Sequence, residues 1–223
     1  MKEHFQNHII TMNEKKISDA LLVVDVQNDF CPGGALAVPE GDRVVPVINR
    51  LSGLFEVVIH TQDWHPAGHH SFASSHKDKN PYDVISVDYG DQVLWPDHCV
   101  QETEGADFHP DLDTSRSQLI LRKGFRKHID SYSAFFENDQ QTVTGLAGYL
   151  RSRKIDTLYV TGLAADFCVK WTVLDAIKEG FHVNVVEDAV RGIDLDGSLE
   201  QAWQEMIGAG ARMLSSEVLL HVE

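Results

Sequence analysis

The feature that most constrains the fold is a repeated alternation between short apolar runs and segments with one apolar helical face. Ala20–Val26 is an apolar run, interrupted by Asp25, that ends in a Gly/Pro-rich turn and predicts a strand buried in a sheet. Asp42–Phe55 then spaces its apolar residues as one face of a helix. The same reasoning predicts strands at Val57–Thr61, Gln118–Arg122, Thr157–Thr161, His182–Val186 and Ala211–Leu214, and helices at Thr142–Lys154, Phe167–Glu179 and Ser198–Ile207.

Strands separated by helices in this way imply parallel crossovers and an α/β fold, a doubly wound parallel sheet with helices on both faces. The chain of 223 residues suits a single such domain over residues 18–223. Residues 1–17 are expected to form a polar extension, and they lack the apolar core of a signal peptide. The stretch Trp64–Ser117 breaks the alternation, and a segment of that length without periodicity usually carries function.

Composition argues against several classes of partner. A net charge of −15 disfavours binding to nucleic acid phosphates and to anionic membrane surfaces. No apolar run reaches the roughly 18 residues that a membrane-spanning helix needs. The three cysteines cannot all pair within the chain, which fits free thiols in a reducing compartment, and we expect a cytoplasmic protein. The sequence leaves homo-oligomer formation open.

Reactive side chains stand at the predicted carboxyl ends of four strands, where open parallel sheets bind their ligands. Asp25 ends the first strand, Asp63 follows the second, Lys123 ends the third and Cys168 follows the fourth. Taken singly, each has an ordinary explanation, such as a turn-capping aspartate, a lysine reaching water or an inert core thiol. Their convergence on one edge favours a catalytic site. Because Cys168 would lie in the first turn of a helix, with a cation nearby, its pKa is expected to be lowered.

A candidate metal site begins at Asp63-Trp64-His65, where a carboxylate and an imidazole two residues apart can face one ion from extended backbone. His98 is a third candidate ligand, and His69 is the nearest further histidine with a usable spacing. This donor set suits one divalent ion, with zinc favoured and iron or manganese as alternatives. The D-x-H pattern alone is weak, since His-rich loops are often plain polar surface. Its place after the second strand gives it weight.

Six segments carry these residues in a specific combination: Asp25–Phe30, Gln62–Pro66, Trp95–Gln101, Gly105–His109, Arg122–Gly124 and Ala164–Val169. In this combination the chain resembles the nicotinamidase branch of the isochorismatase-like hydrolase superfamily, from about residue 19 to its end. The resemblance implies an isochorismatase-like hydrolase fold and no organic cofactor.

Carried over residue by residue, the resemblance implies a catalytic triad of Asp25, Lys123 and Cys168. It implies that Asp63, His65 and His98 hold the divalent metal ion, and His69 occupies the place of a further ligand found in some relatives. It implies a cis peptide between Leu163 and Ala164, and an oxyanion hole formed by the N–H groups of Ala164 and Cys168. It also implies that Phe30, Trp95 and Tyr132 enclose a pyridine ring.

The reaction that the resemblance implies is hydrolysis of nicotinamide to nicotinate and ammonia in NAD salvage, through a thioester on Cys168. One alternative is another amidase of the superfamily, of the N-carbamoyl-amine type, and the full metal set and aromatic trio argue against it. The other is a metal- or ligand-binding α/β protein without catalysis. Binding alone would not need a nucleophile, so the joint presence of Asp25, Lys123 and Cys168 argues against that alternative.

Overall fold

Eight strands and five α-helices organise the part of the chain that the computed structural model describes, residues 17–221. They are β1 (Ile17–Val24), α1 (Val44–Ser52), β2 (Phe55–Asp63), β3 (Val84–Val87), β4 (Gly90–Val93), β5 (Ser117–Lys123), α2 (Leu146–Ser152), β6 (Thr157–Leu163), α3 (Lys170–Lys178), β7 (His182–Arg191), α4 (Ser198–Ala209), β8 (Arg212–Leu214) and α5 (Ser216–Leu220). None of these helices has the length and apolar character needed to cross a bilayer. The predicted extension lies outside the described residues except for Ile17, and it stays a prediction.

Six of the strands form one parallel sheet in the order β5-β2-β1-β6-β7-β8. The chain builds outward from β1 in one direction through β2 and β5, and in the other through β6, β7 and β8. The order of strands therefore reverses between β1 and β6, and loops leaving these two strands diverge to open a crevice. This crevice lies where Asp25 and Cys168 follow their strands.

Helices cover both faces of the sheet, as predicted, because neighbouring residues of each strand point to opposite sides. Leu22 and Val24 of β1 pack in a core with α2, α3 and α4, whereas Leu21 and Val23 pack in a second core with α1 and α5. All four side chains are fully buried. Each such burial stabilises the fold by about 1.5–3 kcal/mol relative to an exposed side chain.

Several predicted elements have different bounds in the structure. The predicted helix Phe167–Glu179 begins as a π-helical turn, Ala165–Val169, before α3. The predicted helix Thr142–Lys154 is confined to α2, because Gly145 adopts a positive φ of 98° just before it. The hairpin of β3 and β4 was not predicted, since the side chains of Val84–Val87 alternate only between exposed and half-buried. A hairpin of this kind has no hydrophobic periodicity to reveal it.

Candidate active site

The four side chains predicted at the strand ends meet at one edge of the sheet. Asp25 directly follows β1, and Asp63 and Lys123 are the last residues of the neighbouring strands β2 and β5, where they form a register pair. Cys168 lies in the π-helical turn that follows β6. All four are buried, and ligand atoms of Asp25, Asp63 and Cys168 lie within 4.8 Å of one another.

Lys123 is the centre of this cluster and is only 1% exposed. Its Nζ lies 2.8 Å from Oδ2 of Asp25, 3.0 Å from Oδ1 of Asp63 and 3.5 Å from Sγ of Cys168. It also donates a hydrogen bond of 2.8 Å to the carbonyl of Ser131. Burial lowers the pKa of Lys123, but the negative charges of Asp25 and Asp63 outweigh burial and hold the pKa well above its usual value. The ammonium group is therefore a fixed cation beside the thiol.

One oxygen of the Asp25 carboxylate is fixed by a hydrogen bond, and the other is available to accept a proton. Oδ1 accepts a 2.6 Å hydrogen bond from the Thr61 hydroxyl. Oδ2 forms the ion pair with Lys123 but accepts no well-aligned hydrogen bond among the described residues. Burial raises the pKa of Asp25, with Lys123 opposing the shift and Asp63 adding to it. A carboxylate with a raised pKa, next to the thiol, is suited to accept a proton from it.

The expectation that the Cys168 thiol has a lowered pKa is wrong for the site in the structure. Burial raises the pKa of the thiol well above its usual value, Lys123 opposes this, and the charges of Asp25 and Asp63 add to it. Cys168 is 6% exposed, and neither the helix dipole nor one cation compensates for the lost solvation of its thiolate. The resting thiol therefore holds its proton, and a base must remove it during attack.

Asp63, His65 and His98 form a buried carboxylate and two-imidazole set beside this cluster. Nε2 of His65 lies 3.3 Å from Oδ2 of Asp63, and Nε2 of His98 lies 3.7 Å from the same oxygen. Two ligands bound to zinc at about 2.0–2.1 Å with tetrahedral angles stand about 3.3 Å apart, so the set fits a zinc-sized ion. The opposite ring nitrogens are fixed by the carbonyls of Gly124 at 2.9 Å and Pro96 at 2.8 Å. This leaves both Nε2 atoms facing Asp63.

The structure does not place His69 in that set. Its Nδ1 is 2.7 Å from the Ser71 hydroxyl and its Nε2 is 2.9 Å from the carbonyl of Arg126. His69 groups instead with His65 and Asp130, a second set whose ligand atoms lie within 4.8 Å. Burial and the charge of His65 lower the pKa of His69, which keeps its ring neutral.

A narrow cavity opens onto the thiol. The three aromatic residues predicted to surround the substrate are all at its wall, and the other side chains belong to the catalytic cluster, the metal set and the surrounding loops: Phe30, Leu36, Asp63, Trp95, His98, Asp130, Tyr132, Ala164, Phe167, Cys168 and Ile193. Trp95 donates a 3.1 Å hydrogen bond from Nε1 to the Tyr132 hydroxyl. A larger, more open depression around His70 and Tyr89 includes none of the predicted site residues.

The backbone turn that carries Cys168 is held by hydrogen bonds to one carbonyl. The peptide between Leu163 and Ala164 is cis, as the resemblance implied. The carbonyl of Ala164 then accepts hydrogen bonds of 3.1 Å from the N–H groups of Phe167 and Val169. Both predicted oxyanion-hole residues, Ala164 and Cys168, line the cavity.

Sequence reasoning missed a glutamine that fixes the end of β2. Gln27 is fully buried, and its Nε2 donates hydrogen bonds of 2.8 Å to the carbonyls of Asp63 and Ala106. Its Oε1 accepts a 2.7 Å hydrogen bond from the Asp63 N–H. The available signal was the spacing, because Gln27 follows Asp25 by two residues just beyond the strand. Asp130, at the cavity wall, follows no predicted strand and left no comparable signal.

Comparison with known proteins identifies the family. The isochorismatase domain matches residues 19–218. The chain belongs to the isochorismatase family. A nicotinamidase of Acinetobacter baylyi is 56% identical over 201 residues, which cover 90% of this chain and 94% of the relative. The resemblance read from the motifs is thus confirmed, and with it the isochorismatase-like fold.

Solved structures of relatives agree with this assignment. An Acinetobacter baumanii nicotinamidase and pyrazinamidase is 59% identical, with a TM-score of 0.89, covering 91% of this chain and 98% of the other. A protein from L. infantum in complex with nicotinate is 39% identical, with a TM-score of 0.79 and coverage of 90% and 93%. A Pyrococcus horikoshii pyrazinamidase in complex with zinc is 35% identical, with a TM-score of 0.72 and coverage of 89% and 99%.

Proposed function

We propose that this family member is a nicotinamidase, which hydrolyses nicotinamide to nicotinate and ammonia in NAD salvage. The observation that carries the proposal is a buried thiol in contact with a lysine that also pairs with a carboxylate, at the wall of a small aromatic cavity. The nicotinamidase names of the relatives and the nicotinate held by one of them support the choice of substrate.

In the proposed mechanism, Asp25 is the base, Cys168 the nucleophile and Lys123 the charge that stabilises both. As the sulfur attacks the carboxamide carbon, the thiol proton passes to Asp25 and a tetrahedral intermediate forms. The raised pKa of Asp25 favours this transfer, and Lys123 offsets the charge that develops on sulfur. The N–H groups of Ala164 and Cys168 would hold the oxyanion, each contributing about 3 kcal/mol.

Collapse of the intermediate breaks the carbon–nitrogen bond. Asp25 returns its proton to the leaving nitrogen, ammonia departs and a thioester to Cys168 remains. Asp25, again ionised, then takes a proton from a water molecule whose oxygen attacks the thioester carbon. The thiol leaves with that proton, the acid product gives its remaining proton to solvent, and nicotinate is released. One carboxylate thus serves as base and acid in both halves of the reaction.

Asp63, His65 and His98 would hold one divalent ion, with zinc proposed and iron or manganese as alternatives. When bound, the ion would supply Lewis acidity and positive charge at the cavity wall. The zinc in the P. horikoshii relative supports this assignment. Phe30, Trp95 and Tyr132 would bound the pyridine ring, since flat aromatic walls bind flat rings by offset or edge-to-face contact.

The test is ammonia release by the purified, zinc-loaded chain from nicotinamide and from an N-carbamoyl amine of similar size. We expect kcat/KM for nicotinamide to be at least 100-fold higher than for the N-carbamoyl amine. That ratio corresponds to a difference of about 2.7 kcal/mol in activation free energy. A preference for the N-carbamoyl amine would replace the proposal with the other amidase function. Release from neither amide, with metal bound, would leave a non-catalytic protein. Treatment with a chelator followed by zinc or manganese then identifies which ion supports the activity.

A further inference from the structure

Asp166 is a buried carboxylate close to the nucleophile that the proposed mechanism does not use. It lies two residues before Cys168 in the π-helical turn and is 1% exposed. The described residues place no lysine or arginine within ion-pair distance of it. A buried charge without a counter-ion is costly, so its hydrogen bonds must account for its presence.

Those hydrogen bonds come from the loop that follows β7 and from the first residue of α4. Oδ1 accepts a 3.0 Å bond from the N–H of Ile193, and Oδ2 accepts a 2.8 Å bond from the N–H of Asp194. The Ser198 hydroxyl donates a third bond, of 2.5 Å, to Oδ2. Ser198 begins α4, whose positive dipole end further stabilises the carboxylate.

The loop held in this way forms part of the cavity wall. Ile193 lines the cavity together with Phe167 and Cys168, whereas Asp166 does not line it. The approach is close, because a Cβ added to Gly192 would lie 3.1 Å from Oδ1 of Asp166 and 2.6 Å from Cδ1 of Leu199. The carboxylate of Asp166 thus links the nucleophile turn to the Ile193 wall by hydrogen bonds.

We propose that Asp166 is a positioning residue that sets the substrate-binding wall at Ile193 relative to the nucleophile turn. The inference rests on the proposed function for its kinetic readout. Asp166 touches none of the reacting groups, so its removal should affect substrate binding more than chemistry. Its carboxylate accepts from three donors, and an asparagine in its place can satisfy only part of them.

The kinetic test is Asp166→Asn, assayed on nicotinamide. We expect KM to rise about tenfold, the equivalent of about 1.4 kcal/mol, with kcat within about threefold of the unmodified protein. Ile193→Ala should raise KM in the unmodified protein but cause little further rise in the Asp166→Asn background, since the wall is already displaced. A fall in kcat at unchanged KM, or multiplying effects of the two changes, would overturn the inference.

Asp188→Asn is the matched control. Asp188 accepts hydrogen bonds of 2.7 Å and 2.5 Å from the N–H and hydroxyl of Ser216 at the start of α5, and neither residue lines the cavity. It should lower stability while leaving KM unchanged. If it raised KM as much as Asp166→Asn, general loosening of the fold would explain both results and the inference would fall.

Hydrogen exchange provides a readout that needs no activity. The amides of Ile193 and Asp194 should exchange at least tenfold faster in Asp166→Asn than in the unmodified protein, and at the unmodified rate in Asp188→Asn. If Asp166→Asn does not fold, Ser198→Ala removes one donor and should accelerate the same amides. Unchanged exchange would sink the inference while leaving the proposed function intact. If the unmodified protein were inactive on nicotinamide, the proposed function would be refuted, but the hydrogen-exchange test of Asp166 would remain valid.

Discussion

Replacing Lys123 with methionine tests how the catalytic cluster is held together. Methionine preserves much of the side-chain volume but removes the cation that lies 2.8 Å from Asp25 and 3.0 Å from Asp63. Both carboxylates are at most 5% exposed at their side chains, so water screens them little. Removing one partner from a buried ion pair costs about 3–5 kcal/mol, and we expect the metal-free protein to lose that much stability at pH 7. This is a large share of the 5–15 kcal/mol typical of a domain.

The measurement is the free energy of unfolding from urea titration of chelator-treated protein, with the m-value compared between variants. Lys170→Met is a matched control, because Lys170 pairs at 3.3 Å with a partly exposed Glu205 and should cost less than about 1 kcal/mol. Lys123→Met combined with Asp25→Asn should recover part of the loss, since one uncompensated charge is then absent. A loss below 1 kcal/mol for Lys123→Met, at an unchanged m-value, would refute the view that Lys123 neutralises this cluster.

Two further predictions concern residues around the site. Gly124→Ala should weaken zinc binding by at least tenfold, measured in a competition titration. Gly124 has a φ of 67°, and an added Cβ would lie 2.5 Å from Cε1 of His65, so the substitution should displace this ligand. An unchanged zinc affinity would show that the position of the His65 ring does not depend on this close approach. Burial lowers the pKa of His60 to about 4, below the value of about 6.5 expected in the unfolded chain. The unfolded chain therefore binds the proton more tightly, and stability should fall by up to about 3 kcal/mol as the pH decreases from 6.5 to 4. His60→Phe should flatten that part of the urea-derived pH profile, and an equally steep profile in the variant would contradict the assignment.

The sequence predicted which side chains meet at this edge of the sheet where apolar runs mark the ends of the strands. Asp25, Asp63 and Lys123 each mark the point at which an apolar run ends, and parallel strands bring such points together. The hairpin of β3 and β4 could not be predicted in this way, since it buries little apolar surface. Asp130 also escaped prediction, because a loop brings it to the cavity wall and the packing of that loop is decided by tertiary contacts.

The chemistry of the thiol shows the same limit. Position at the start of a helix beside a cation is visible in the sequence, and it predicts a lowered pKa for Cys168. The opposing effects are the depth of burial and the two carboxylates nearby, and both depend on how the strands and loops pack. Burial and the two carboxylates reverse the direction of the pKa shift of Cys168. Because the thiol then keeps its proton, Asp25 is needed as a base.

The central claim, that the sulfur of Cys168 performs the attack, is tested most directly by Cys168→Ala in the zinc-loaded protein. Cys31→Ala is the matched control, since Cys31 is a buried free cysteine that does not line the cavity. The measurement is kcat for ammonia release from saturating nicotinamide. We predict that Cys168→Ala reduces kcat by at least about 10³-fold, the scale seen when a nucleophile is removed, while Cys31→Ala stays within about threefold. A Cys168→Ala variant that keeps more than a tenth of the unmodified kcat would contradict the account.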